Sequence, residues 1–255
     1  MKPEISEFSY GYALTSNLVD RYDLKSAGAP IFPSLYEEGK TGGYDVELPK
    51  IAWFVQFKLS DCLKRGNARH AALIGVPHFR FEIRPARYSA QHQLLLDLEA
   101  DGKDVFYCSP AFHTMSELND AFRTGAVAAR TVFVAPSFIG PLADPDDHDV
   151  AFVVGPGGVW FCSEPKEIRH ETAEAIFIPS ATRQRKFQPR PHRYDQFFTD
   201  LGEELMQVYE KSNARHRDID TGSLRPVRPV IGPSRFAAYA SQVLFGCQLF
   251  VTARQ

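Results

Sequence analysis

Residues 42 to 58 read Gly-Gly-Tyr-Asp-Val-Glu-Leu-Pro-Lys-Ile-Ala-Trp-Phe-Val-Gln-Phe-Lys, and no other stretch constrains the fold as tightly. Two extended runs, Tyr44–Leu48 and Ala52–Lys58, flank Pro49 and Lys50, which predicts a β-hairpin with a short connection. Side chains alternate across a strand, so Trp53, Val55 and Phe57 share one face while Phe54, Gln56 and Lys58 share the other. In the first run Tyr44, Val46 and Leu48 are the apolar set and Asp45 points the opposite way. One register then puts Asp45, Gln56 and Lys58 on one side of one sheet. A lysine ending so apolar a strand is costly if buried without a partner, so it asks for a role.

The flanking sequence supplies helices and further strands. Ser6–Lys25 reads as an opening helix whose apolar stripe runs through Ile5, Phe8, Tyr12 and Val19 and is widened by Leu14 and Leu18. Glu7 lies in its first turn, either beside that stripe or in solvent near the positive end of the helix dipole. Pro30–Leu35 reads as a short strand and Tyr36–Gly43 as a loop. His78–Arg84 alternates Phe79, Phe81 and Ile83 against His78, Arg80, Glu82 and Arg84. Ser89–Ala100 is a helix with Leu94, Leu95 and Leu98 inward. Asp104–Ser109 and Thr131–Ala135 are continuous apolar strands, as in a sheet covered on both faces. Between them Thr114 and Glu117 form a capping box for helix Met115–Arg123. The resulting expectation is a mixed α/β sheet flanked by helices.

After Pro136 the character changes. Val150–Val154 and Val159–Cys162 flank a Gly-Pro-Gly-Gly hairpin signal at residues 155–158. Ala181–Tyr194 is rich in basic residues, Tyr194–Ser212 reads as a helix, and Ser234 is set to cap a final helix over Arg235–Thr252. This predicts a core over residues 1–140. Residues 141–255 form an α+β extension packed on it, made of a hairpin, a basic loop and two helices.

Composition narrows the functional classes. The net charge of −2 gives no global pull toward nucleic acid, so a polyanion site must come from local clustering. No apolar run reaches membrane-spanning length, and the first residues lack a signal-peptide pattern. Cys62, Cys108, Cys162 and Cys247 are scattered, as expected of reduced thiols in a cytoplasmic protein.

The order helix, strand, hairpin, strand, helix, strand, helix, strand resembles the PD-(D/E)XK restriction-endonuclease-like superfamily. With Gly42-Gly43-Tyr44-Asp45 and Gln56-Phe57-Lys58, the resemblance is to its Gln-x-Lys subgroup, as in Mrr-type restriction endonucleases. It covers roughly the first 140 residues. It implies a metal-dependent endonuclease that hydrolyses DNA phosphodiester bonds, in defence against foreign DNA. Asp45 would be the principal metal-binding carboxylate. Glu7 would complete the metal site, and Gln56 would offer its amide oxygen or position a water. Lys58 would orient the nucleophilic water and stabilise charge on the phosphate. Mg²⁺ is the implied ion because the ligands are hard oxygens, with Mn²⁺ as a substitute. Tyr44 stands where proline is usual, and Gln56 replaces the commoner acidic residue. The second reading is a catalytically inactive nuclease fold that binds nucleic acid or assembles with other proteins of a defence system.

Phosphate contacts are expected from two basic segments. One is Arg183, Arg185 and Lys186 in the basic loop; the other is Arg80 and Arg84 on the polar face of their strand. The absence of a recognisable target-recognition unit adds a protein partner or a homo-oligomer to the expectation.

Overall fold

The computed structural model describes residues 1–22, 24–26, 50–142, 146–153, 157–177, 194–214 and 219–254. In chain order these form α1 (Glu7–Arg21), β1 (Leu24–Ser26), β2 (Lys50–Phe57), β3 (Asp61–Leu63), α2 (Ala71–Ile74) and β4 (His78–Ile83). There follow α3 (Gln91–Ala100), β5 (Asp104–Pro110), α4 (Met115–Arg123), β6 (Thr131–Val134), α5 (Pro136–Ile139), β7 (His148–Phe152), β8 (Val159–Phe161) and β9 (Lys166–Ile168). Helix α6 is described over 173–177. The chain closes with α7 (Tyr194–Lys211), α8 (Arg228–Ile231), α9 (Pro233–Phe245) and β10 (Gln248–Arg254). The α/β class is as expected, with the strands divided over two sheets. One is mixed, in the order β1-β10-β2-β5-β6; the other is antiparallel, in the order β3-β4-β7-β8-β9.

Strand β2 lies at the centre of the mixed sheet. It runs antiparallel to β10 and parallel to β5, and at Trp53, Phe54 and Val55 both of its edges are taken. The hairpin expected between β2 and Tyr44–Leu48 therefore has no open edge at those positions. Tyr44–Leu48 lies outside the described residues, as do Pro30–Leu35 and Tyr36–Gly43. The expected final helix is also corrected, because α9 stops at Phe245. Gly246 adopts the left-handed conformation (φ 65°, ψ 23°) that caps a helix and frees the chain to turn. The following Leu249, Phe250, Val251 and Thr252 favour a strand over a helix. The boundary expected at residue 140 has no counterpart in the strand pairing, since β10 is inserted between β1 and β2, and β7 pairs with β4.

The expected alternation of β2 sets the layers. Trp53 and Phe57 join Ile5, Tyr10, Leu14 and Leu18 under α1, whereas Phe54 joins Val105, Tyr107 and Leu249 on the opposite face. That second face packs against α3, α9 and the inner side of the antiparallel sheet, where Phe81 meets the Tyr107 ring at 6.0 Å between centroids. Each such large apolar side chain taken from water stabilises the fold by roughly 1.5–3 kcal/mol. The stripe read on α1 is only partly right: Phe8 and Tyr12 are exposed, and with Met115 and Phe122 of α4 they leave four large apolar side chains open to solvent. The capping box at Thr114 and Glu117 is formed as expected. All four cysteines are free and buried. Among the described residues no helix is long and apolar enough to cross a membrane.

Candidate functional site at the end of strand β2

The position of α1 against β2 is set by close contact. A Cβ on Gly11 would lie 2.8 Å from the Phe57 ring, so only glycine lets the helix approach this near. Tyr10 donates its hydroxyl proton to Thr131 at 3.1 Å, and Asn17 bridges the Gly125 carbonyl and the Ala128 amide at 3.0 and 2.8 Å. Ser6 caps the helix by accepting from the Ser9 amide. Glu7 is one turn before Gly11, on the side of the helix that meets the end of β2.

Lys58 follows β2 directly, and its amide donates to the Cys108 carbonyl at 2.9 Å, extending the pairing with β5. Its ammonium donates to Gln91 Oε1 at 3.3 Å and lies 5.9 Å from the centre of the Tyr107 ring. The Gln91 amide nitrogen donates to Gln56 Oε1 at 2.7 Å and to the Gly246 carbonyl at 3.4 Å. Gln56 turns its own amide nitrogen back to the Phe57 carbonyl at 3.0 Å. Gln91 thus ties together the two polar residues that share a face of β2. Gly246 is needed here too, since a Cβ would stand 2.5 Å from Gln91 Nε2.

Four charges meet at this end of the strand. Burial pulls the Lys58 amine below the ordinary lysine range; Glu7 and Glu82 act against that shift, and Arg84 adds to it. Glu7 is open to solvent on one side, yet the crowding around it raises its carboxyl above the usual range, and Lys58 partly offsets this. The structure therefore brings Glu7, Gln56 and Lys58 together, with Arg84 close by. Asp45, Arg183, Arg185 and Lys186 lie outside the described residues. Arg80 has a different environment. Its guanidinium donates to Asp149 at 3.0 Å and to Asp61 at 3.4 Å, so any phosphate would have to compete with two carboxylates.

Two participants were not singled out from the sequence. Gln91 looked like an ordinary residue near a leucine stripe, and only the fold shows that the first turn of α3 faces β2. Glu82 belonged to a solvated strand face, and nothing in its spacing links it to Lys58.

Beneath Lys58, His92 fixes the Tyr107 ring. The imidazole Nε2 is 2.8 Å from the Gly140 carbonyl and Nδ1 is 2.9 Å from the Tyr107 hydroxyl. The neutral tautomer that donates to Gly140 and accepts from Tyr107 satisfies both contacts. Burial, reinforced by His148 and Lys58, lowers the His92 pKa from 6.5 to about 4, against the bond to Gly140. Between those values the unfolded chain takes up a proton that the folded chain refuses. Stability should therefore fall on acidification from pH 6.5 toward 4, by on the order of 3 kcal/mol from this group. Urea midpoints across that range should show the loss, and His92→Gln should flatten it. An equal slope in the variant would remove His92 from the account.

As metal ligands the described residues are hard oxygen donors, the Glu7 carboxylate and the Gln56 amide oxygen, which suit Mg²⁺. Among the described residues no group of three His, Cys, Asp or Glu side chains converges, and Glu82 is the other carboxylate that acts on Lys58. The chain matches no family model, no curated protein and no solved structure.

Proposed function

We propose that the end of β2 is the catalytic centre of a metal-dependent nuclease that hydrolyses DNA phosphodiester bonds. The observation that carries the reading is the approach of Glu7, from a helix on one face of the sheet, to Lys58 on the other side of the strand end. Two residues distant in sequence, nominated for one reaction, are near enough in the fold to act on each other's charge. Hydrolysis of a phosphodiester at neutral pH needs a polarised water and a cation to offset charge on the phosphoryl oxygens.

In this reading Lys58 supplies the cation and orients the attacking water, and Gln91 holds its ammonium in line with Gln56. Glu7 and Asp45 would hold Mg²⁺, with the second lone pair of Gln56 Oε1 left for a water or the ion. Bound there, the ion would lower the pKa of a coordinated water and polarise the phosphate. Partial burial of Lys58 and Glu7 strengthens their mutual attraction relative to a solvated pair.

A cleavage assay on linear and supercoiled DNA with Mg²⁺ or Mn²⁺ tests the reading. Wild type should cut, and Asp45→Ala should lose at least ~100-fold in rate. Cutting that survives in Asp45→Ala would sink the site. A second reading, an inactive assembly subunit, draws on the exposed Phe8, Tyr12, Met115 and Phe122. Wild-type protein that binds DNA or a protein partner without cutting would favour it.

A further inference from the structure

The row of polar side chains on β4 leads away from the β2 end to a second charged region. Glu82 and Arg84 act on Lys58, and Arg80 is the next residue of that alternating row. Arg80 ties Asp61 of β3 to Asp149 of β7. The buried Asp149 Oδ2 also meets Arg69 at 3.3 Å and His70 at 3.1 Å, and Asp61 Oδ2 meets Lys2 at 3.2 Å. These carboxylates fasten cations to the sheet without neutralising them. Lys2, Arg69 and Arg80 are paired to Asp61 and Asp149, and the exposed Lys64 and Arg65 follow β3 directly, so cations outnumber the carboxylates that hold them.

The loop that carries most of these charges, residues 64–70, is preorganised. Turns close from the Ala68 amide to the Arg65 carbonyl at 2.9 Å and from the Ala71 amide to the Ala68 carbonyl at 3.0 Å. His70 sits in the left-handed region (φ 71°), a conformation that costs a non-glycine residue energy, and the ring contact with Asp149 holds it there. That arrangement sends Arg69 to the same carboxylate while leaving its side chain 62% exposed. Lys64 and Arg65 are exposed and have no carboxylate partner among the described residues.

We infer that the 64–70 loop, with Lys2, is a grip for the phosphate backbone of DNA that runs on to the Lys58 end of β2. The grip deepens the nuclease reading and rests on it for the choice of DNA. Lys64 stands six residues after Lys58, a chain reach of at most about 20 Å, and successive phosphates of one strand advance about 3.4 Å along a duplex axis. A backbone held at Lys58 and Arg84 would pass the loop within a few nucleotides. Charge complementarity selects the partner: exposed cations held on a rigid loop suit a regular polyanion.

Anisotropy of a short labelled duplex in EDTA, over a salt series, tests this without cleavage. Lys64→Gln/Arg65→Gln/Arg69→Gln should weaken binding at least ~10-fold and reduce the salt slope by roughly two to three, near 0.9 per lost phosphate contact. Arg69 also anchors the loop, so Lys64→Gln/Arg65→Gln provides a variant with no ion pair to lose; its slope should fall by roughly two. An unchanged slope in both variants overturns the grip, as does failure of wild type to bind. If the slope falls but wild type does not cut with Mg²⁺, the grip stands and the nuclease reading falls. If cutting persists with an unchanged slope, the reverse holds.

Discussion

Lys58→Met should lower DNA cleavage at least ~100-fold and at the same time make the protein more resistant to urea. The two effects have one origin. Burial holds the Lys58 amine below the ordinary lysine range, so the folded state disfavours its charged form. The sign follows from linkage: below the folded pKa the charge is present in both states and carries its full burial cost only in the fold. Stability rises as the pH climbs from the folded toward the unfolded pKa. At neutral pH the methionine variant is free of that cost and keeps the packing on Tyr107. Cleavage, on the proposed nuclease reading, would lose the cation set to face the phosphate. Parallel urea and cleavage measurements decide the matter. A variant that cuts normally would remove Lys58 from the reaction; one that loses cutting and stability together would mark it as a structural residue.

Ending the chain after Cys247 should leave it unfolded. The truncation removes β10, which pairs with β2 from Val55 to Lys50 and with β1 over Leu24–Ser26. It also removes the buried Leu249 and Phe250, worth roughly 1.5–3 kcal/mol each, and uncovers the edge of a strand that carries Trp53 and Phe54. Together with the lost pairing, that approaches the roughly 5–15 kcal/mol by which a folded domain is stable. Residues 1–140 alone should fare no better, since β4 would also lose β7. Circular dichroism and thermal melts check both. A cooperative melt in either fragment would show that the sheets tolerate the loss of a central neighbour.

Local signals were legible where one short pattern has one physical solution. The capping box at Thr114, the alternation of Phe79, Phe81 and Ile83, and the separation of Gln56 and Lys58 from Trp53 and Phe57 depend on neighbours a few residues away. The approach of Glu7 to Lys58 was half legible, because helix placement followed from the sequence and side-chain direction did not. Non-local pairing was lost. β10 was read as the tail of a helix because Ala-rich α9 precedes it, although Gly246 and the run Leu249–Thr252 together marked the change. Gln91 could not be found without the fold, since its role depends on α3 lying across the end of β2. The aromatics Phe8 and Tyr12 misled for a related reason: they extend an apolar stripe on α1, but that side is covered only in part, with Phe122 of α4 beside the Tyr12 ring at 6.3 Å and Phe8 and Tyr12 still more than half exposed.

The interior place of β10 also sets a clock on synthesis. A ribosome adds about 5–20 residues per second, so roughly 10–40 s separate the emergence of β2 from that of its antiparallel neighbour. Through that interval β5 can close one edge of β2 while the other stays open beside Trp53 and Phe54. An open apolar edge is the kind of surface on which nascent chains pair with one another. Gln91 meanwhile lacks the Gly246 carbonyl that helps hold it across the strand end. The same insertion that makes the sheet continuous thus leaves the nascent chain in need of protection, and keeps Lys58 and Gln56 from their final geometry until the last strand is in place.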